Sequence, residues 1–126
     1  MLESAFGNKL VKALESAGAK TLKVHGSLWQ ESGWPDLQVY HKIWTGHLEL
    51  KCGQRVLQLN QRICMRELQE RGSFAWCLRL IDDDLIDVSQ HDGKVLGRLQ
   101  LKMTGKELLL TMKTLGDSSC VRGKLQ

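Results

Sequence analysis

Residues 47–52 read His-Leu-Glu-Leu-Lys-Cys, and this strict alternation constrains the chain more than any other stretch. A period of two sends successive side chains to opposite faces of a strand. Leu48, Leu50 and Cys52 therefore go to one face, and His47, Glu49 and Lys51 to the other. Glu49 and Lys51 then project side by side, with Cα atoms about 6.8 Å apart. A carboxylate and an ammonium are aimed at one spot against an apolar wall. Upstream, Pro35-Asp36-Leu37-Gln38-Val39 alternates in the same way, with Leu37 and Val39 on one side and Asp36 and Gln38 on the other. Antiparallel pairing of these two segments brings Asp36 beside Glu49, because neighbouring strands lie about 4.8 Å apart.

The rest of the chain surrounds this pair with an α/β pattern. Helix spacing of Phe6, Leu10, Leu14 and Ala17 predicts a first helix over residues 2–17, stopped by Gly18. A strand over 21–25 follows, with Leu22 and Val24 on one face. Residues 26–34 read as a loop. A second helix over 59–71 buries Ile63, Cys64, the Glu67 stem and Leu68 and ends at Gly72. A strand over 74–80 completes an α-β-β-β-α-β order. The last third is less ordered as a pattern. Residues 82–90 read as a loop or short helix, Asp92-Gly93 as a turn and 95–101 as a strand. Thr104 and Glu107 form a capping box for a helix ending near Leu115 at Gly116, with a frayed tail beyond Asp117.

Two carboxylates held together repel, and a divalent cation relieves the repulsion. Oxygen ligands and water suit Mg²⁺ or Mn²⁺, and the Leu50 peptide carbonyl lies between the two ligand side chains. Lys51 would then orient or deprotonate an attacking water and offset charge on a phosphate. Taken alone, Glu-x-Lys is usually a solvated charge pair, and Pro-Asp is usually a turn. Their conjunction on two alternating strands weighs sharply against both of these ordinary readings.

Gly33-x-Pro35-Asp36, a gap, then Glu49-x-Lys51 resembles the PD-(D/E)xK nuclease superfamily. The chain is more closely similar to its virus-type replication–repair branch. That branch continues with a leucine, a glutamine opening a helix, and a glycine before the next strand. Leu57, Gln61, Gly72 and Phe74 match this order. Glu3, Phe6, Leu10, Leu14 and Gly18 match its first helix. The likeness covers residues 3–80, and 81–126 read as a C-terminal β/α extension of one nuclease domain spanning 1–126. It implies a restriction-endonuclease-like core, a mixed central sheet flanked by helices. It further implies metal ligation by Asp36 and Glu49 and catalysis by Lys51. Glu3 would bind or orient the metal, and Gln61 would hydrogen-bond near the site or the DNA. Gln58 departs from the Ser or Thr that would best cap the second helix. Small stand-alone members of the branch resemble Holliday junction resolvases, which cut two symmetric strands as homodimers. Leu85, Ile86, Leu108, Leu109 and Met112 could supply the dimer surface or simply fill the core.

Charge and cysteine usage agree with a DNA partner. Lys and Arg outnumber Asp and Glu eleven to seven in residues 1–80 and five to two in 100–126, while 81–99 is acidic, two against five. Phosphate contacts are expected from His25, Ser27, Gln30, Arg55 and Arg62, with Arg66 a further candidate; each could equally be an ordinary surface residue. Trp29 and Trp34 could stack on unpaired bases or cap the core. His47 shares the Glu49 face and could assist a proton transfer or stand by. Asp82, Asp83 and Asp84 read as an acidic loop rather than a second metal site. Cys52, Cys64, Cys77 and Cys120 form no CxxC and read as reduced thiols of an intracellular protein, in the host cytoplasm if the source is viral. No segment has the length of a membrane span, and none reads as a secretion signal.

Overall fold

The computed structural model describes residues 1–24 and 32–125, with side chains through residue 119. Helix α1 (Glu3–Ser16) leads to β1 (Lys20–Lys23), β2 (Leu37–Tyr40) and β3 (Gly46–Cys52). Helix α2 (Leu59–Glu70) crosses to β4 (Phe74–Leu80), followed by β5 (Leu85–Ser89), β6 (Val95–Gln100) and α3 (Gly105–Leu125). The six strands form one sheet in chain order. All neighbours are antiparallel except β3 and β4, which run parallel. A parallel pair needs a crossover, and α2 is that crossover.

The alternation read from the sequence sets the two faces. Leu37, Val39, Leu48, Leu50, Trp76, Leu78, Ile86, Val88 and Leu99 belong to the main core with Phe6, Leu10 and Leu14 of α1 and Leu108, Leu109 and Met112 of α3. On the opposite face, α2 covers Ala75 and Cys77 with Met65, flanked by Leu57 and Leu68. That smaller cluster leaves room on this face for charged groups. Among the described residues, no helix is long and apolar enough to cross a membrane.

Several expectations are corrected. Residues 85–89 are a strand, not a loop or short helix: Ile86 and Val88 are fully buried on one face, too short a run to separate the alternatives beforehand. The acidic run before it is a turn, with Asp82 Oδ1 accepting from the Asp84 and Leu85 amides at 2.8 Å. Leu22 is 55% exposed rather than inward-facing. Register pairs Thr21 with Val39 and Lys23 with Leu37, so those two face α1, where they reach Glu15 and Asn8. Ile63 is exposed, and Met65 takes the buried place, because the inward stripe of α2 runs through Gln61, Cys64, Met65 and Leu68. Helix α3 continues through Gly116 rather than ending there. A Cβ at Gly116 would lie 2.8 Å from the Phe74 ring, so this glycine serves close helix–sheet approach and not termination. Ile86, Leu108, Leu109 and Met112 are fully buried within the chain and offer no dimer surface.

Candidate active site

The site forms where β2 begins and leaves the second half of β3 unpaired on that side, its other side being paired with β4 throughout. The last paired residue of β3 on this side is Leu48, opposite Leu37. Beyond it, the Leu50 amide donates to Asp36 Oδ2 at 3.0 Å. Asp36 thus takes the place of the missing strand and is fixed by the backbone of β3. A residue's N–H and C=O point to the same neighbouring strand, so the Leu50 carbonyl faces this side as well.

Glu49 and Lys51 lie on the α2 face and are nearly inaccessible, 2% and 5% exposed. The Lys51 Nζ stands 3.6 Å from Glu49 Oε2. Gln61 donates from Nε2 to the same oxygen at 3.0 Å. Its own Oε1 accepts from the Gln58 amide at 2.9 Å, so Gln61 closes the start of α2 and orients Glu49 together. This offsets the poor cap expected of Gln58. Glu49 Oε1 is buried and has no hydrogen-bond partner among the described residues. Burial, and then the Asp36 carboxylate beside it, push the Glu49 pKa up to about 8. Lys51 opposes that rise.

The start of α1 supplies the other wall. A cleft of about 260 Å³ is lined by Glu3, Asn8, Lys23, Asp36 and Leu50, among others. Glu3 holds Arg55 in an ion pair of 2.9 Å. Asp36 is therefore the hinge between two halves: Glu3 and the Leu50 backbone in the cleft, and Glu49, Lys51 and Gln61 against α2. Among the described residues, no three His, Cys, Asp or Glu side chains converge tightly enough to hold a metal by themselves. The donor set still fits a hard cation: two crowded carboxylates, one with an orphaned buried oxygen, beside an open backbone carbonyl.

Other candidates are placed variously. Arg62 donates to the His91 carbonyl at 3.2 Å, away from the carboxylates. Arg66 is within 3.7 Å of Glu70 on an exposed turn of α2. His47 packs 6.0 Å from the Trp34 ring, and burial lowers its pKa, favouring the neutral imidazole. Trp34 is half-buried and lines a groove with Cys64, Glu67, Leu68 and Arg71 of α2. His25, Ser27, Trp29 and Gln30 lie outside the described residues. Lys23 and Asn8 were missed by the sequence reading, since both look like ordinary surface polar residues until β1 pairs with β2. Gly33 is a further positioning element. It has φ +92°, and a Cβ there would lie 2.5 Å from the Asn60 carbonyl oxygen. A glycine three residues before the aspartate was the available signal.

No family model matches the sequence, and no curated protein matches it. Among solved structures, the chain is similar to Archaeoglobus fulgidus Hjc, a Holliday junction resolvase from an archaeal hyperthermophile, at 16% identity and TM-score 0.53. The match covers 71% of this chain and 75% of that one. At this identity the likeness establishes the fold, a mixed six-stranded sheet with flanking helices of the restriction-endonuclease-like kind.

Proposed function

We propose that the chain is a divalent-metal-dependent DNA endonuclease of the PD-(D/E)xK type, in its virus-type replication–repair branch, that resolves four-way junctions as a homodimer. The observation that carries the reading is the convergence of Asp36 and Lys51 on Glu49, whose Oε1 is buried and without a partner among the described residues. The shared fold with a Holliday junction resolvase supports the choice of substrate.

Asp36, Glu49, the Leu50 carbonyl and, directly or through water, Glu3 would hold Mg²⁺ or Mn²⁺. When bound, the ion supplies Lewis-acid activation of water and stabilisation of the leaving oxygen. Glu49 then remains ionised, its second oxygen fixed by Gln61. Lys51, as an ammonium, places a positive charge beside the scissile phosphate and orients the attacking water, whose proton passes to solvent. Asp36, held by the Leu50 amide, keeps its geometry through the reaction. Arg55 pairs with Glu3 through one nitrogen and is otherwise exposed, which leaves donors for a DNA phosphate.

The test is incubation of labelled four-way junction, flap, nicked and plain duplex with Mg²⁺ or Mn²⁺. Paired symmetric cuts in the junction are expected. Cleavage of flap, nick or duplex in preference would replace junction resolution with general repair cutting. No cleavage of any substrate would leave a DNA-binding module. Glu49→Ala should abolish cleavage and preserve binding.

A further inference from the structure

On the α2 face of the sheet, the row that begins at the site continues beyond it. Register places Arg79 of β4 beside Lys51, Asp87 of β5 beside Arg79, and Arg98 of β6 beside Asp87. Met65 of α2 covers Ala75 and Cys77 of β4, and Arg79 is the next residue on that face. Two of the row's three cations are neutralised. Lys51 faces Glu49, and Arg98 is held by Asp87 at 2.9 Å. Arg79 is different. It is half-buried, its Nε is enclosed without a hydrogen-bond partner, and it forms no ion pair among the described residues. The buried Nε left without a partner costs stability unless a bound group completes it, and the terminal nitrogens of the guanidinium stay open to such a group. A phosphate matches a guanidinium fork in charge and geometry.

We infer that Arg79 binds a phosphate of the cleaved strand adjacent to the scissile one, so that the strand runs from β3 onto β4. Adjacent strands are about 4.8 Å apart, which sets Arg79 one step from Lys51 along that path. Asp87 belongs to the arrangement. By holding Arg98 it keeps the outer cation from competing for the same phosphate, and it limits how far the strand is gripped. This inference rests on the nuclease reading, and its failure is separable from failure of that reading.

The experiment measures binding of a fixed four-way junction in EDTA over a salt series, for wild type, Arg79→Gln and Arg79→Lys, with thermal melting of each. Loss of one phosphate contact should make the slope of log affinity against log salt shallower by about one in Arg79→Gln. Arg79→Lys should restore most of the slope. A junction with a neutral methylphosphonate next to the cut site should weaken wild type and leave Arg79→Gln without further loss. Wild-type slope and affinity in Arg79→Gln overturn the inference, as does a loss that simply adds to that of the methylphosphonate. A lowered melting temperature with unchanged slope assigns Arg79 a packing role and also overturns it. Cleavage by wild type in these cases leaves the nuclease reading standing; absence of both binding and cleavage by wild type overturns both.

Discussion

Glu49 is a carboxylate that this fold disfavours in its charged form. Burial and the neighbouring Asp36 raise its pKa from 4.5 to about 8. The sign of the stability effect follows. The metal-free folded state binds this proton more tightly than the unfolded chain, so the favourable contribution is full below pH 4.5 and is lost as pH rises to about 8. Unfolding free energy in EDTA should therefore fall over that interval by an amount on the order of a few kcal/mol, seen as a lower melting temperature. Glu49→Gln should flatten that part of the profile. A divalent ion should raise the melting temperature more at the alkaline end, and equal stabilisation at both ends would remove Glu49 from the ligand set. The residues of this centre differ in how far they could be read in advance. Asp36, Glu49 and Lys51 were legible because strand periodicity alone fixes their faces. Gln61 came only through likeness to a family. Arg79 was not legible, because its meaning comes from a parallel register that joins residues 28 apart in the chain, Lys51 and Arg79.

At the scale of elements, the loop before β2 and the start of α2 are locked together. Gly33 sits against the Asn60 carbonyl in a left-handed conformation, one residue before the packed Trp34 and three before Asp36. Gly33→Ala would combine a positive-φ cost with a backbone clash, and a loss of about 2 kcal/mol is expected. Cleavage should fall further than the stability loss explains, because both Asp36 and Gln61 would move. Melting and cleavage measured on the same preparation test this, and wild-type cleavage would show that the junction of loop and helix does not position the site. Elements with a strong period were placed well from sequence: α1, β3 and β4 lie within a residue or two of expectation. β5 was missed because five residues beside an acidic turn carry too little pattern. The C-terminal helix was cut short because glycine marks a helix end and a close packing contact alike.

For the whole molecule, the core uses both helices on one face and leaves the other partly charged. Four of the five candidates for self-association, Ile86, Leu108, Leu109 and Met112, are instead consumed by packing, and Leu85 is half-buried. A two-fold enzyme must then pair through other surfaces, and Val56, Leu59 and Ile63 are large apolar side chains that remain exposed near the site. Sedimentation should show a dimer at micromolar concentration, alone or on a four-way junction. A monomer under both conditions would argue against paired cutting and for single cuts in flaps or duplex. The overall architecture was legible because alternating strands and one crossover helix admit few arrangements. The assembly was not, since a buried stripe and an interface stripe have the same composition.

The single parallel seam between β3 and β4 divides the sheet into two antiparallel arms, β1–β2–β3 and β4–β5–β6, each joined by local connections. Asp36 and Glu49 belong to the first arm. A chain emerging from synthesis or refolding from denaturant can thus bring Asp36 and Glu49 together through nearby contacts, while Lys51 meets Arg79 only after the longer α2 crossover closes. On the proposed reading, sites for a cation and for a strand phosphate would therefore form at different stages of folding. Each arm is laid down by neighbours in sequence, and competence to hold a nucleic acid waits for the slowest contact in the sheet.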